Sequence, residues 1–274
     1  MDLHTITAVK RPASPDELVG WPQGHAWLGG GTWLFSQPQP TLNTLVDLAG
    51  FDWPALTVTE AGLEIAATCR IIELDQFSPP ASWLARPLLR ECCRSLLASF
   101  KVMNTATIGG NICMSLPAGA LIALTVALEA HYTLWPRGGT PRVVDAAEFV
   151  TGDHRNILAP GELLRSIAIP ATALAKRYAF RRMTLTHLGR SAALLIGTQS
   201  PGADDLTLTI TAATPRPVRL YFPAMPDAEG LRATIRSSVS DDGFFDDVNG
   251  TPAYKRHLTY HFAEQIRQEL GAGA

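Results

Sequence analysis

Apolar and polar positions along this chain change period several times, and each change marks a predicted element. Ala26-Trp27-Leu28 is a short apolar run that reads as a strand and leads straight into glycines; Thr44-Leu45-Val46-Asp47-Leu48 reads as another. Leu56-Thr57-Val58-Thr59 and Leu63-Glu64-Ile65-Ala66-Ala67 alternate with period two around Glu60-Ala61-Gly62, the pattern of a hairpin. Residues 71–76 and 82–98 have helical spacing. In the second stretch Leu84, Leu88, Leu89, Cys92, Leu96 and Leu97 share one broad face. Leu121 to Leu128 is apolar on every side and predicts a buried helix. Tyr132-Thr133-Leu134-Trp135 and Leu163 to Ile169 predict strands, the latter ending at Pro170. Near the N-terminus, residues 14–20 predict a short helix with Ser14 as N-cap, Pro15 in its first turn and Gly20 at its stop.

After Pro170 the texture shifts towards a sheet with helices. Ala179 to Met183, Ala192 to Gly197 and Leu206 to Ala212 predict strands, and Asp227 to Ser237 a helix. Residues 239–252, rich in Asp and Gly, predict a loop. A last helix is expected from about Pro252 to Leu270, with Tyr254, Leu258, Phe262, Ile266 and Leu270 spaced by four. A boundary is expected near residue 171, and no internal repeat is visible.

Composition narrows the classes. The chain has 274 residues, 46% apolar and 18% charged, which supports a sizeable core and argues against global disorder. A net charge of −2 and the lack of a polybasic run argue against nucleic acid and membrane partners. Cys69, Cys92, Cys93 and Cys113 form no C-x-x-C pair. A zinc ribbon or an iron–sulfur cluster held by this chain alone is therefore not expected, and buried thiols of a reducing compartment are. His25, His131, His187 and His257 are not at metal-ligand spacing. Met1-Asp2-Leu3-His4 does not start a signal peptide, and the apolar stretch from Ala118 to Leu128 is short for a membrane span. The expectation is a soluble, cytoplasmic protein.

The chemistry concentrates in two glycine-rich segments, Leu28-Gly29-Gly30-Gly31-Thr32-Trp33-Leu34-Phe35 and Thr107-Ile108-Gly109-Gly110-Asn111-Ile112. Backbone without Cβ atoms turns tightly and can aim several N–H groups at an anion. Each segment alone reads equally as a turn; neither is a P-loop or a G-x-G-x-x-G fingerprint. Two together could hold one diphosphate from two sides. Cys113 reads either as a neighbour of that ligand or as a buried small residue. Trp27 and Trp33 each read as core or as a ring stacked on a cofactor, with core packing the first reading for Trp27.

These motifs resemble the FAD-binding (medium) subunit of the molybdenum hydroxylases, the xanthine dehydrogenase and carbon monoxide dehydrogenase family. That family shows an A-G-G-T-D-L-L loop, matched by Gly29-Gly30-Gly31-Thr32-Trp33-Leu34-Phe35 at most positions. It then shows R-N-x-A-T-I-G-G-N-I, matched by Met103-Asn104-Thr105-Ala106-Thr107-Ile108-Gly109-Gly110-Asn111-Ile112 with only the Arg replaced. Pro117, Leu124 and Ala130 keep the spacing of the helix that follows. Gly161 to Pro170 resembles a strand ending in I-x-I-P, and Asp247 with Tyr254-Lys255-Arg256-His257-Leu258 resembles the family's C-terminal stretch.

The resemblance implies an α+β protein with the two-subdomain FAD-binding fold of the vanillyl-alcohol oxidase and p-cresol methylhydroxylase type, plus a C-terminal α+β domain. Residues 1–170 would be the FAD-binding domain, in subdomains of about 1–54 and 55–170, and residues 171–274 the companion. FAD would be held without a covalent link. Leu28, Gly29, Gly30, Gly31, Thr32 and Trp33 would meet the diphosphate on one side, and Asn104, Ala106, Thr107, Ile108, Gly109, Gly110 and Asn111 on the other. Leu164 would contact the ring system. Arg181 reads equally as a cation near the flavin and as a strand surface charge. No catalytic acid, base or nucleophile is required of the chain. The molybdenum cofactor would sit on a large partner subunit and two [2Fe–2S] clusters on a small one, with electrons passing through FAD to NAD⁺ or another acceptor. Three positions depart from the family: Trp33 and Ala120 stand where acidic residues are usual, and Met103 where Arg is. The Asp replaced by Ala120 usually fixes the ribityl chain, and losing one such charge-assisted bond costs roughly 1.5–3 kcal/mol. That leaves a flavin-free structural subunit as an alternative, beside a stand-alone flavin oxidase.

Overall fold

A computed structural model describes residues 3–14, 17, 18, 20–96, 98–136, 139–186 and 189–272. The helix expected over residues 14–20 includes residues 15, 16 and 19, outside this set, as are Leu97 and His187.

The chain begins with a small parallel sheet of β1 (Ala8–Lys10), β2 (His25–Leu28) and β3 (Thr44–Asp47) in the order β1-β3-β2. The central strand, Thr44-Leu45-Val46-Asp47, is buried throughout, so alternation is absent from its sequence. Trp27 and Leu28 pair with Val46 and Asp47, and this register sends the chain out of β2 into the first glycine segment.

A five-stranded antiparallel sheet follows. Its strands β4 (Leu56–Thr59) and β5 (Gly62–Ala66) form the expected hairpin. Helices α1 (Ile71–Gln76), α2 (Arg86–Arg94), α3 (Phe100–Thr105), α4 (Ile108–Cys113) and α5 (Ala120–Ala127) intervene. Then come β6 (His131–Trp135), β7 (Arg142–Asp145), α6 (Ala146–Phe149), the short pair β8 (Val150–Gly152) and β9 (Arg155–Asn156), and β10 (Leu163–Pro170). The order is β4-β5-β10-β6-β7, with the long apolar β10 at the centre. A register shift between Leu164 and Ser166 accompanies an Arg165 guanidinium lying 4.2 Å from the Trp53 ring centroid. Every residue of α5 is buried, because the helix packs against α2 on one side and the C-terminal sheet on the other.

After α7 (Ala171–Leu174), the strands β11 (Arg177–Thr184), β12 (Ser191–Gln199), β13 (Leu206–Thr211) and β14 (Val218–Phe222) form an antiparallel meander. Helices α8 (Ala228–Ser238) and α9 (Pro252–Gly271) complete this part. Leu258, Phe262, Ile266 and Leu270 of α9 are buried in one cluster with β12 and β13, as their spacing predicts. Asp247 accepts a 2.8 Å hydrogen bond from the fully buried Lys255 ammonium, which also donates to Ala212 O at 3.2 Å.

The helix expected over 82–98 is shorter. Pro87 lies in its first turn and fixes the start, and Leu84, placed on the apolar face, is 52% exposed. The second glycine segment, expected as a loop, is the N-cap and all but the last residue of helix α4. Thr107 supplies the reason: its hydroxyl accepts from Gly110 N at 3.0 Å and caps the helix in spite of the glycines.

Candidate functional site

The first glycine segment leaves β2 and turns directly onto the junction between α3 and α4. A Cβ at Gly30 would lie 1.8 Å from Thr105 O and 2.9 Å from Ala106 Cα, so the two segments touch through backbone. Gly31 adopts φ +69°, a left-handed conformation that turns the chain away from this contact. The segments enclose one side of a cavity of about 420 Å³, within the range of small-molecule sites.

Leu28, Gly29, Gly30, Gly31, Thr32, Trp33, Ala106, Thr107, Gly110 and Asn111, ten of the residues expected at the cofactor, line this cavity. Six other candidates do not. Asn104 turns back and donates to Phe100 O at 2.7 Å. Ile108 is buried in the core, and Gly109 is drawn onto Ala67 by a 3.0 Å backbone bond. Ala120 opens α5 and Leu164 lies in β10; each is 1% exposed in the core. Arg181 faces α9 instead, donating to Gln265 Oε1 at 2.9 Å and pairing with Glu269. The cavity wall adds residues from outside the motifs: Ser95 and Leu96 after α2, Val102 of α3, Cys113 to Ala118 in part, and Arg190 from the β11–β12 turn. Trp27 lines it as well, while stacking on Trp21 at 4.5 Å. Cys113 is the residue whose position beside the second segment marks it in the sequence; the same position extends to Met114, Leu116 and Ala118, and no sequence signal marks Arg190.

The donors divide unequally between the two segments. Ile108 N donates to Cys69 O at 2.8 Å, Gly109 N to Ala67 O, Gly110 N to Thr107 Oγ1 and Asn111 N to Thr107 O, each at 3.0 Å. The first two amides stitch α4 to the exit of β5 and the last two close its own first turn on Thr107, so all four donate inside the chain, where the resemblance expects them at a diphosphate. By contrast, among the described residues no hydrogen bond outside the regular elements uses the N–H of Gly30, Gly31 or Thr32. Asn111 Oδ1 is buried with no partner among the described residues, an acceptor waiting for a hydroxyl or amide donor. The Trp33 ring lies 5.5 Å from that of His154 at the cavity's edge. Burial pushes the Cys113 thiol up to about 12, so at neutral pH it carries no thiolate. Among the described residues no group of three His, Cys, Asp or Glu could hold a metal, and no helix is long and apolar enough to cross a membrane.

A free amide turn, an orphaned carbonyl oxygen, a cation and no carboxylate make a donor set suited to an anionic, hydroxyl-bearing ligand. On an α+β frame, that set defines a protein that binds a nucleotide-type cofactor. The family model for the FAD binding domain in molybdopterin dehydrogenase matches residues 6–172, and the chain belongs to that family. It is 30% identical over 162 residues to the carbon monoxide dehydrogenase medium chain of Hydrogenophaga pseudoflava, covering 58% of this chain and 53% of that one. It is 29% identical over 138 residues to the caffeine dehydrogenase subunit beta of Pseudomonas sp. (strain CBB1), covering 49% and 46%. The matched segment thus spans about half the length of these curated relatives. Among solved structures, reconstituted CO dehydrogenase from Oligotropha carboxidovorans superposes with a TM-score of 0.81 over 97% of this chain and 98% of that one, at 23% identity. Quinoline 2-oxidoreductase from Pseudomonas putida 86 does so with a TM-score of 0.76 over 97% of each chain, at 17% identity. The α+β flavoprotein fold expected from the motifs is therefore the fold of the chain.

Proposed function

We propose that this chain is the FAD-carrying medium subunit of a molybdenum hydroxylase-type oxidoreductase. The family match runs through both segments that enclose the cavity, and the unpartnered Asn111 Oδ1 beside free amides is the observation that carries the reading. Bound FAD supplies exchange between one-electron and two-electron carriers. The chain's own residues hold it: the Gly30, Gly31 and Thr32 amides meet the diphosphate, Asn111 Oδ1 accepts from a hydroxyl of the ribityl or ribose, and Trp27 and Trp33 exclude water. The fit is weaker than the motifs alone imply, since Thr107 caps α4 rather than facing outwards.

The remaining parts of the reading are the large molybdenum-cofactor subunit, the small [2Fe–2S] subunit, assembly as a heterotrimer, NAD⁺ or another acceptor and a cytoplasmic location. Residues 1–170 then form the flavin unit and 171–274 its companion. What supports a multi-subunit setting is the relative's description as a medium chain. The experiment is direct. The purified chain is titrated with FAD, and its extracted chromophore is identified. Stoichiometric, acid-extractable FAD is expected. A colourless chain that takes up no FAD would instead favour the flavin-free structural subunit, for which Trp33 in the first segment and Ala120 off the cavity already speak.

A further inference from the structure

Of the described side chains that line the cavity, Arg190 alone bears a charge. It sits at the end of the turn between β11 and β12, next to Ser191. The neighbouring arginines are committed elsewhere. Arg181 is held by Gln265 and Glu269, and Arg182 donates to Ser191 Oγ at 2.9 Å and Gly189 O at 2.8 Å. Arg190 is exposed and forms no hydrogen bond or ion pair among the described residues. A guanidinium with no protein anion, facing a cavity with no carboxylate, is matched to an anionic ligand.

The amides assign which anion. A diphosphate is doubly anionic and needs donors on more than one side. The four N–H groups of Ile108 to Asn111 are already used inside the chain, so these four have nothing to offer a ligand. The amides of the first segment remain, and they carry partial charge rather than a full one. We infer that Arg190 is the diphosphate-binding cation of this chain, clamping the anion against the amides of Gly30, Gly31 and Thr32. Trp33 then fits the same arrangement: with no acid among the described residues of the cavity wall, Arg190 has no competitor there for the ligand. The inference rests on the reading that FAD occupies this cavity.

Three ligands separate the possibilities: FAD, ADP, which has the diphosphate without the flavin, and riboflavin, which has the flavin without the diphosphate. Their affinities are measured by fluorescence and calorimetry on the flavin-stripped full chain and on Arg190→Gln and Arg190→Lys. Because Arg190 is exposed and bonds nothing, both variants are expected to unfold at the wild-type temperature. Arg190→Gln is expected to weaken FAD and ADP by about ten- to a hundredfold and to leave riboflavin unchanged. Arg190→Lys should recover part of the loss, as a point charge in place of a fork. Unchanged FAD affinity in Arg190→Gln, or equal losses for riboflavin and ADP, would overturn the assignment while leaving the flavin reading intact. Failure of the wild-type chain to bind FAD would overturn that reading, and the assignment with it.

Discussion

Gly30 is the residue on which the cavity's shape turns. Its missing Cβ lets the first segment lie on Thr105 O, and an added methyl would have to displace backbone, because no flexible side chain is there to move. Gly30→Ala is therefore expected to cost about 2–4 kcal/mol in stability and to abolish tight FAD binding. Thermal unfolding and a flavin titration of the same sample check both halves; a variant that stays as stable and as yellow as the wild type would show that the segments do not meet this way. At this scale the sequence was readable in part. Three consecutive glycines announced a turn or a close approach, and the motif gave their neighbours. It could not show that Thr107 caps a helix, since Thr-x-x-Gly serves as well in a loop. Nor could it single out Arg190, whose neighbours follow no periodicity and whose importance comes from a cavity assembled by distant elements.

Elements lock to one another through a few charge-assisted hydrogen bonds. Arg142 of β7 donates to both carboxylate oxygens of Glu162 at 2.8 Å, and Ala159 N donates to the same carboxylate at 3.0 Å. This joins the edge strand to the loop that leads into β10. The Arg142 hydrogen bond is the largest influence on the Glu162 carboxyl; burial opposes it, but the Ala159 amide and the Arg142 charge leave the group below the usual carboxylate range. A carboxylate with a depressed folded value stabilises fully above the unfolded value, about 4.3. That contribution is lost as pH falls through the lower folded value. Glu162→Gln is thus expected to lower stability by roughly 1–2 kcal/mol near neutral pH, since Arg142 is half exposed. The difference should shrink below about pH 4, as wild type loses what the variant lacks. Urea unfolding between pH 3 and 7 tests this, and a pH-independent gap would rule it out. Strands like β7 were the ones sequence reading missed. Val143 of β7 and Tyr221 of β14 are each 64% exposed, because edge strands bury little and so show weak patterning. The fully buried α5 and the apolar β10 were legible from their runs alone.

The whole molecule is tied together by α5. Its apolar residues from Ala120 to Ala127 belong to one cluster with Leu88 and Cys92 of α2, Ile65 of β5 and Ile167 of β10, and also with Leu194 and Ile196 of the C-terminal sheet and Ala212 just after β13. Arg219 of β14 adds a bidentate contact to Asp145, at 3.1 and 2.7 Å, across the same junction. The change of texture at Pro170 therefore marks a change of sheet, while the buried surface continues through it. Continuity of this kind predicts cooperative unfolding rather than sequential loss of two units. The sequence offers a natural pair of reporters. Its six tryptophans are Trp21, Trp27, Trp33, Trp53, Trp83 and Trp135, all ahead of residue 170, so tryptophan fluorescence follows the first two sheets and far-UV circular dichroism the entire chain. The two denaturation curves are expected to coincide. Leu124→Ala, which removes buried volume from the centre of α5, should shift both together by about 2–5 kcal/mol. If the fluorescence transition moved and the dichroism retained a separate later phase, the C-terminal sheet would be folding on its own core, Leu195, Leu208, Ile210 and the α9 face, without support from α5.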